Sequence, residues 1–249
     1  MVQDRNMISA VVPALNAEAQ LGLALSSLVP AAVDGLVREV IVVDGGSTDR
    51  TLDIADGAGA EIVKTGPGRA EQLKAGADRA RFSWLLFLNA DTVLEPGWER
   101  EVNVHIERVD SGRRRPSAAS FRFTLDDEGL MARTLETMVS LRSSLLKLPS
   151  GDQGLLISRA LYDEIGGFGS LPMLEDVDIL RRLGRNRVAL LNARAATSGE
   201  HYWREGYMSR MARNQVCLAL YLLGFPVRTI ASLTGRSAEA VGAPVAERG

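Results

Sequence analysis

A chain of 249 residues, 46% of them hydrophobic, is long enough for one α/β domain of ordinary size with a substantial core. Its net charge of −2 gives no electrostatic case for nucleic-acid binding, and its single cysteine, Cys217, excludes an internal disulfide and fits a reducing compartment. The polar opening 1–7 predicts no leader, and no run approaches the ~20 apolar residues a membrane helix needs, so a cytoplasmic protein without a transmembrane segment is expected.

Residues 7–13, Met-Ile-Ser-Ala-Val-Val-Pro, predict a strand near 8–13, ended by a proline that cannot donate to a ladder. Asn16 and Glu18 follow, then a helix near 18–28 with Leu21, Leu25 and Leu28 on one face. The β-branched run Glu39-Val40-Ile41-Val42-Val43 predicts a buried strand near 38–43. It stops at Asp44-Gly45-Gly46-Ser47-Thr48-Asp49, where Ser47 or Thr48 can cap a helix near 48–58. A strand near 60–64 leads to Gly66-Pro67-Gly68-Arg69-Ala70 and a helix near 69–81 with Leu73 and Ala77 inward. The strand near 84–89, Trp84-Leu85-Leu86-Phe87-Leu88-Asn89, runs into Ala90-Asp91-Thr92. A helix near 97–109 sets His105 among Glu101, Glu107 and Arg108, a pattern that predicts a solvated imidazole. The alternation of strands and helices argues for a mainly parallel central sheet with right-handed crossovers, flanked by helices.

The charged, turn-rich stretch Ser111-Gly112-Arg113-Arg114-Arg115-Pro116 separates two halves of a single domain over 1–249: 7–110 and 117–200, followed by C-terminal helices over 203–235. Residues 118–124 read as a strand with Phe121 and Phe123 on one face, followed by a long helix with Met131, Leu135, Met138 and Leu145 near a 3.6 period. Short strands are predicted at 154–158 and 188–191, and a helix at 203–223. The stretches 216–223 and 227–233 are apolar enough to cover the core or to touch a lipid surface; packing on the core is expected, with peripheral membrane contact as the other outcome.

Parallel α/β sheets present ligands at the carboxyl ends of their strands. If the first three corners are adjacent, they converge Glu18, Asp44 and Asp91 on one rim, which is costly unless a cation or a hydrogen-bonding ligand occupies the gap. The ordered set Pro13-Ala14-Leu15-Asn16-Ala17-Glu18, Val43-Asp44-Gly45-Gly46-Ser47-Thr48-Asp49 and Leu88-Asn89-Ala90-Asp91-Thr92 resembles family 2 glycosyltransferases of the GT-A fold. Gly66-Pro67-Gly68-Arg69-Ala70, Gly151-Asp152-Gln153-Gly154 and Leu174-Glu175-Asp176-Val177-Asp178 extend the resemblance over roughly residues 7–215, nearest to the small soluble bacterial branch.

The resemblance implies an α/β, GT-A-type nucleotide-diphospho-sugar transferase fold. It implies an inverting enzyme that moves a sugar from a nucleotide-diphosphate donor, UDP-type favoured, to a hydroxyl acceptor with the help of Mg²⁺ or Mn²⁺. Such chemistry must neutralise the leaving diphosphate, take a proton from the acceptor and align both at the anomeric carbon. By resemblance Pro13, Ala14, Glu18, Asp44, Gly45, Arg69, Ala90 and Asp91 surround the donor, with Asp91 on the metal. Asp176 matches the base of inverting members, and Glu175 and Asp178 orient it or bind acceptor. Two departures stand out. Asn89 replaces the first acid of the family's Asp-x-Asp-like motif, so metal is expected to bind weakly without nucleotide. Gly45 stands where many members carry a second acid, which removes one candidate partner for the base N3–H.

The remaining features have plain readings. His201 could approach the metal, but two histidines so far apart carry no zinc signature. Trp203 and Tyr207 could stack on a sugar ring or pack a helix, and Arg181, Arg182, Arg185 and Arg187 read as a solvated face. A nucleotidyltransferase would want a Gly-rich, basic loop after the first strand, and Pro13-Ala14-Leu15-Asn16 is not one. A non-catalytic nucleotide-sugar binder accommodates Asn89 and Gly45 but leaves Glu175-Asp176 without a purpose.

Overall fold

The computed structural model describes residues 6–127, 129–198 and 207–233. The first half holds β1 (Ile8–Ala14), α1 (Leu21–Ser26), α2 (Val29–Val33), β2 (Val37–Asp44), α3 (Thr51–Gly57), β3 (Glu61–Lys64), α4 (Arg69–Arg79), β4 (Trp84–Phe87), β5 (Thr92–Leu94) and α5 (Trp98–Asp110). The second holds β6 (Ala118–Leu125), α6 (Leu130–Leu146), β7 (Leu155–Ser158), α7 (Arg159–Glu164), α8 (Glu175–Leu183) and β8 (Val188–Thr197). Two further helices, α9 (Tyr207–Leu222) and α10 (Val227–Leu233), follow.

The strands form one sheet in the order β3-β2-β1-β4-β7-β6-β8-β5. The block β3-β2-β1-β4 is parallel, as the strand–helix alternation predicts, and β6 with β8 adds a fourth parallel pair. The pairs β4–β7, β6–β7 and β5–β8 are antiparallel. Pro13 is tolerated in a central strand because β1 outruns its neighbour there: pairing with β4 stops at Val11–Phe87, so no ladder bond needs the missing N–H.

Both faces of the sheet are covered, which is why its strands read as continuous apolar runs. Alternation along β4 sends Trp84 and Leu86 to one face, with Ile8, Trp98, Val102, Ile106 and Phe121, and Leu85 and Phe87 to the other, with Val11, Val43, Leu73, Ile157 and Ile179. Helix α4 lies close on β1 and β2 because Gly76 has no side chain. A Cβ there would stand 2.3 Å from Val11 Cγ1 and 2.9 Å from Val43 Cγ2.

Several expectations need correction. The helix expected near 18–28 is shorter, Leu21–Ser26, and a separate short helix follows at Val29–Val33; in one continuous helix the ring of Pro30 would strike the Ser26 carbonyl. The strand β5 was not expected, and β8 runs on to Thr197, its polar continuation paired with β5 and β6. On α6 the inward residues are Ala132, Leu135 and Val139, packed on Phe123 and Leu125, while Met131, Met138 and Leu145 are exposed. Of the predicted stripe only Leu135 lies against the sheet, joined there by the smaller Ala132 and Val139. The C-terminal helices cover the fold through Cys217, Ile230 and Ala231 on Met173, with Val216, Leu223 and Leu233 exposed. No helix among the described residues is long and apolar enough to cross a membrane.

His105 is buried rather than solvated. It shares the inward face of α5 with Trp98, Val102 and Ile106, meets Trp84 edge-on, and pairs through Nε2 with the Ser117 carbonyl at 3.1 Å.

Candidate active site

The loops that follow β1 and β2 are locked together. Asn16 N–H donates to Ser47 Oγ at 2.9 Å, and Thr48 N–H returns to Asn16 Oδ1 at 2.9 Å. Ala17 N–H donates to Thr51 Oγ1 at 2.7 Å, Glu18 N–H to Asp49 at 3.1 Å, and Arg50 N–H to the Glu18 carboxylate at 3.0 Å. Ser47 and Thr48 therefore do not cap the next helix. Asp49 does that work by accepting the Thr51 N–H at 3.0 Å. Burial raises the Asp49 carboxyl, but the bonds from Thr51 and from Glu18 N–H outweigh it and hold its pKa below the usual value. Asp44 is buried at 2% exposure and turns back on its own loop, accepting from Gly46 N–H at 3.1 Å and Ser47 N–H at 3.0 Å. The acids expected to repel one another on the rim are thus occupied: Asp44 by loop amides and Glu18 by the start of α3.

Gly45 has a partner that the sequence reading missed. Gln72, on the buried side of α4, donates its amide to the carbonyls of Ala14 and Val43, each at 2.8 Å. A Cβ at position 45 would meet the Gln72 amide nitrogen at 3.0 Å, so an acid there would crowd Gln72 and weaken its bonds to these carbonyls, of which Ala14 O also keeps the Gly45 N–H at 2.9 Å. Its signal was a polar residue beside Leu73 on an otherwise small and apolar helix face.

A second group gathers where α4, the end of β4, the turn 151–153 and α8 meet. Arg69 opens α4 and ion-pairs through Nη1 with Glu175. Its Nη2 donates to Asn89 Oδ1 at 2.6 Å. Asn89 Nδ2 donates in turn to Asp152 Oδ1 at 2.9 Å. Burial works against the Arg69 charge, but Glu175, Asp176 and Asp152 outweigh it and raise its pKa. Asp176 accepts Gly151 N–H and Val177 N–H, each at 2.8 Å. Arg69, Gly151, Phe168, Asp176 and Ile179 line a small cavity. The step into α8 is made by Leu174 at φ +60°, a left-handed conformation that costs a non-glycine residue free energy and aims Glu175 and Asp176 inward. The turn is braced from below by Gln153, which binds Ser143, Phe121 O and Ser150 N–H.

The other expected residues lie apart from this group. Pro13, Ala14 and Ala90 are buried backbone positions at the ends of β1 and β4. Asp91 is half-buried; its carboxylate meets the Thr92 hydroxyl at 3.4 Å and its carbonyl accepts Ser198 N–H. Asp178 is bound by Arg182 at 2.6 Å and by the Tyr221 hydroxyl at 3.1 Å, and Arg181 lies over the Tyr221 ring, so this acid ties α8 to α9. Arg187 pairs with Glu164, so the arginine stretch expected to be a solvated face is largely committed to partners. His201 and Trp203 lie outside the described residues. No cluster of three or more potential metal ligands is present among the described residues. One rim carboxylate is nevertheless a donor set that Mg²⁺ or Mn²⁺ accepts when phosphate oxygens complete the shell.

The model of glycosyl transferase family 2 matches residues 9–152. A PGL/p-HBAD biosynthesis glycosyltransferase of Mycobacterium bovis is 38% identical over 101 residues, 35% of this chain and 36% of the relative. Glucosyl-3-phosphoglycerate synthase of Mycolicibacterium paratuberculosis is 38% identical over 95 residues, 34% of this chain and 29% of the relative. The match therefore spans about a third of the length of these curated relatives. Among solved structures, glucosyl-3-phosphoglycerate synthase from Mycobacterium tuberculosis in complex with Mn²⁺, UDP and glucosyl-3-phosphoglycerate aligns with a TM-score of 0.59 at 27% identity, covering 89% of this chain and 81% of that one. The same enzyme with Mg²⁺ and UDP aligns at a TM-score of 0.56 and 25% identity, covering 89% of this chain and 80% of that one.

Proposed function

The chain belongs to glycosyl transferase family 2, and from that premise we propose that it transfers a sugar from a uridine-diphosphate donor to a hydroxyl acceptor, with inversion at the anomeric carbon. The observation that carries the reading is the gathering of Arg69, Asn89, Asp152, Glu175 and Asp176 beside the carboxyl end of β4, where an α/β sheet presents its ligands. The UDP preference is supported by the UDP-bound synthase structures to which this chain is similar.

In this reading the loops at Pro13, Ala14, Glu18, Asp44 and Gly45 hold the nucleoside. Asp44 and Glu18 act through the loop they order rather than as free carboxylates, because their oxygens already serve backbone amides. Arg69 meets the diphosphate, and Ala90 and Asp91 form the floor beneath it. Asp91 would hold a divalent cation, which when bound would supply charge compensation for the leaving diphosphate. Asp176 takes the acceptor proton as attack on the anomeric carbon makes the hydroxyl acidic. Glu175 faces the acceptor once Arg69 turns to the diphosphate, whereas Asp178, expected beside it, serves through the α8–α9 tie that its bonds to Arg182 and Tyr221 make. We place the reaction in the cytoplasm and in a single domain.

A panel of nucleotide sugars with Mn²⁺, screened by thermal unfolding and turnover, tests the reading. A bound donor at 100 times its dissociation constant should add ~2.7 kcal/mol of stability. UDP-sugars should stabilise the wild type, and Asp91→Asn should lose the metal and diphosphate contributions together. A panel in which no donor stabilises or turns over removes the proposal.

A further inference from the structure

Asn89 looks like a damaged metal ligand when only the sequence is read. Its surroundings give it another task. Arginine can only donate hydrogen bonds and a carboxylate only accept them, so a side chain placed between the two must do both. The Asn89 amide does, accepting from Arg69 at 2.6 Å and donating to Asp152 at 2.9 Å, which fixes the orientation of its oxygen and nitrogen.

We infer that Asn89 is a positioning residue: a neutral bridge that holds Arg69 over the cleft and anchors the 151–153 turn through Asp152, so that position 89 is an amide because Asp152 stands opposite it. The inference deepens the functional reading above, resting on it for the role of Arg69. At the cleft the bridge links three elements: α4 through Arg69, the end of β4 through Asn89, and the turn whose Gly151 N–H holds Asp176. The charged groups that face it are Arg69 from α4, Asp152 from the turn, and Glu175 and Asp176 from α8.

The bridge can be rebuilt with its ends exchanged, which gives a test. Asn89→Asp restores the family's acid but sets two carboxylates about 3 Å apart and captures Arg69 in a full ion pair. Donor KM should rise by roughly 10-fold or more with kcat changed much less, and the melting temperature should fall by roughly 3 to 10 °C. Adding Asp152→Asn to that variant recreates acceptor and donor in swapped places. The double variant should recover most of the donor KM and melting temperature relative to Asn89→Asp, with Asp152→Asn alone completing the cycle. A double variant no better than Asn89→Asp overturns the bridge. So does an Asn89→Asp protein that keeps its melting temperature and donor KM while binding Mn²⁺ more tightly without nucleotide. A wild type that binds no UDP with Mn²⁺ in calorimetry defeats the functional reading instead, and the melting-temperature cycle still decides the bridge.

Discussion

Asp176 shows how much of this site is held by backbone. One of its oxygens accepts Gly151 N–H and the other Val177 N–H, so the carboxylate is fixed from two sides at the entrance of α8. A base held this way needs little reorganisation before it takes a proton, provided the acceptor hydroxyl reaches it. Asp176→Asn keeps the shape and one acceptor oxygen but removes the basic lone pair. Turnover should fall by about 10²–10⁴-fold while donor affinity measured by calorimetry stays nearly level. An α-linked UDP-sugar should give a β-linked product with the wild type. Near-normal turnover of Asp176→Asn under chemistry-limited conditions, or an anomer-retained product by NMR, would defeat the assignment. The sequence identified this residue through its motif, but not the partners that make the motif work. Gln72 and the Asn89–Asp152 bridge are contacts between residues 20 to 63 positions apart, and no local spacing encodes them.

At the scale of elements, legibility followed burial on both faces. The strand β4 was visible as an uninterrupted apolar run, β1 and β2 through their apolar stretches 10–13 and 40–43, and α4 as a helix with Leu73 and Ala77 inward. Where polar residues share a buried face, the pattern misled. His105 sits seven residues after Trp98 and three after Val102, in register with the core side of α5, yet its charged neighbours Glu107 and Arg108 masked that register. Burial lowers the His105 pKa from its ordinary 6.5, and Arg114 and Arg108 act in the same direction against the Ser117 carbonyl bond. The unfolded chain therefore binds a proton at a pH where the folded chain does not. Stability should fall as pH drops below about 6.5 and level off once the folded imidazole is protonated too. His105→Gln keeps an N–H for the Ser117 carbonyl and cannot titrate, so urea unfolding between pH 5 and 7.5 should show a flatter profile for the variant than for the wild type. Glu39, Asp49 and Glu136, whose folded pKa values are lowered, lose their contribution only at more acid pH, below the carboxylate range of the unfolded chain. Parallel profiles for the two proteins would show that His105 does not set this slope.

At the scale of the whole molecule, the question is whether the halves on either side of 111–116 can stand alone. The sheet argues that they cannot. β4 of the first half pairs along its full length with β7 of the second, from Trp84–Ser158 to Phe87–Leu155. Each face of the core mixes the halves: Trp84, Leu86 and Trp98 pack in one cluster with Phe121, Leu156 and Ala189, and Val11 and Phe87 in the other with Ile157, Leu161 and Ile179. Removing the second half would unpair one side of β4 and return these side chains to water at roughly 1.5–3 kcal/mol each for the large ones. Half a dozen such losses match the ~5–15 kcal/mol that a whole domain has in reserve. A fragment of residues 1–115 should therefore show no cooperative unfolding transition and should self-associate through the bared strand. The full chain should unfold in one step: in a Trp203→Phe variant, whose fluorescence reports only Trp84 and Trp98 in the first half, the fluorescence transition should coincide with far-ultraviolet circular dichroism from both halves. A fragment 1–115 that melts cooperatively near the temperature of the full chain, or two separated transitions in the intact protein, would make the halves independent domains and would require the cleft to be rebuilt as an interface between them.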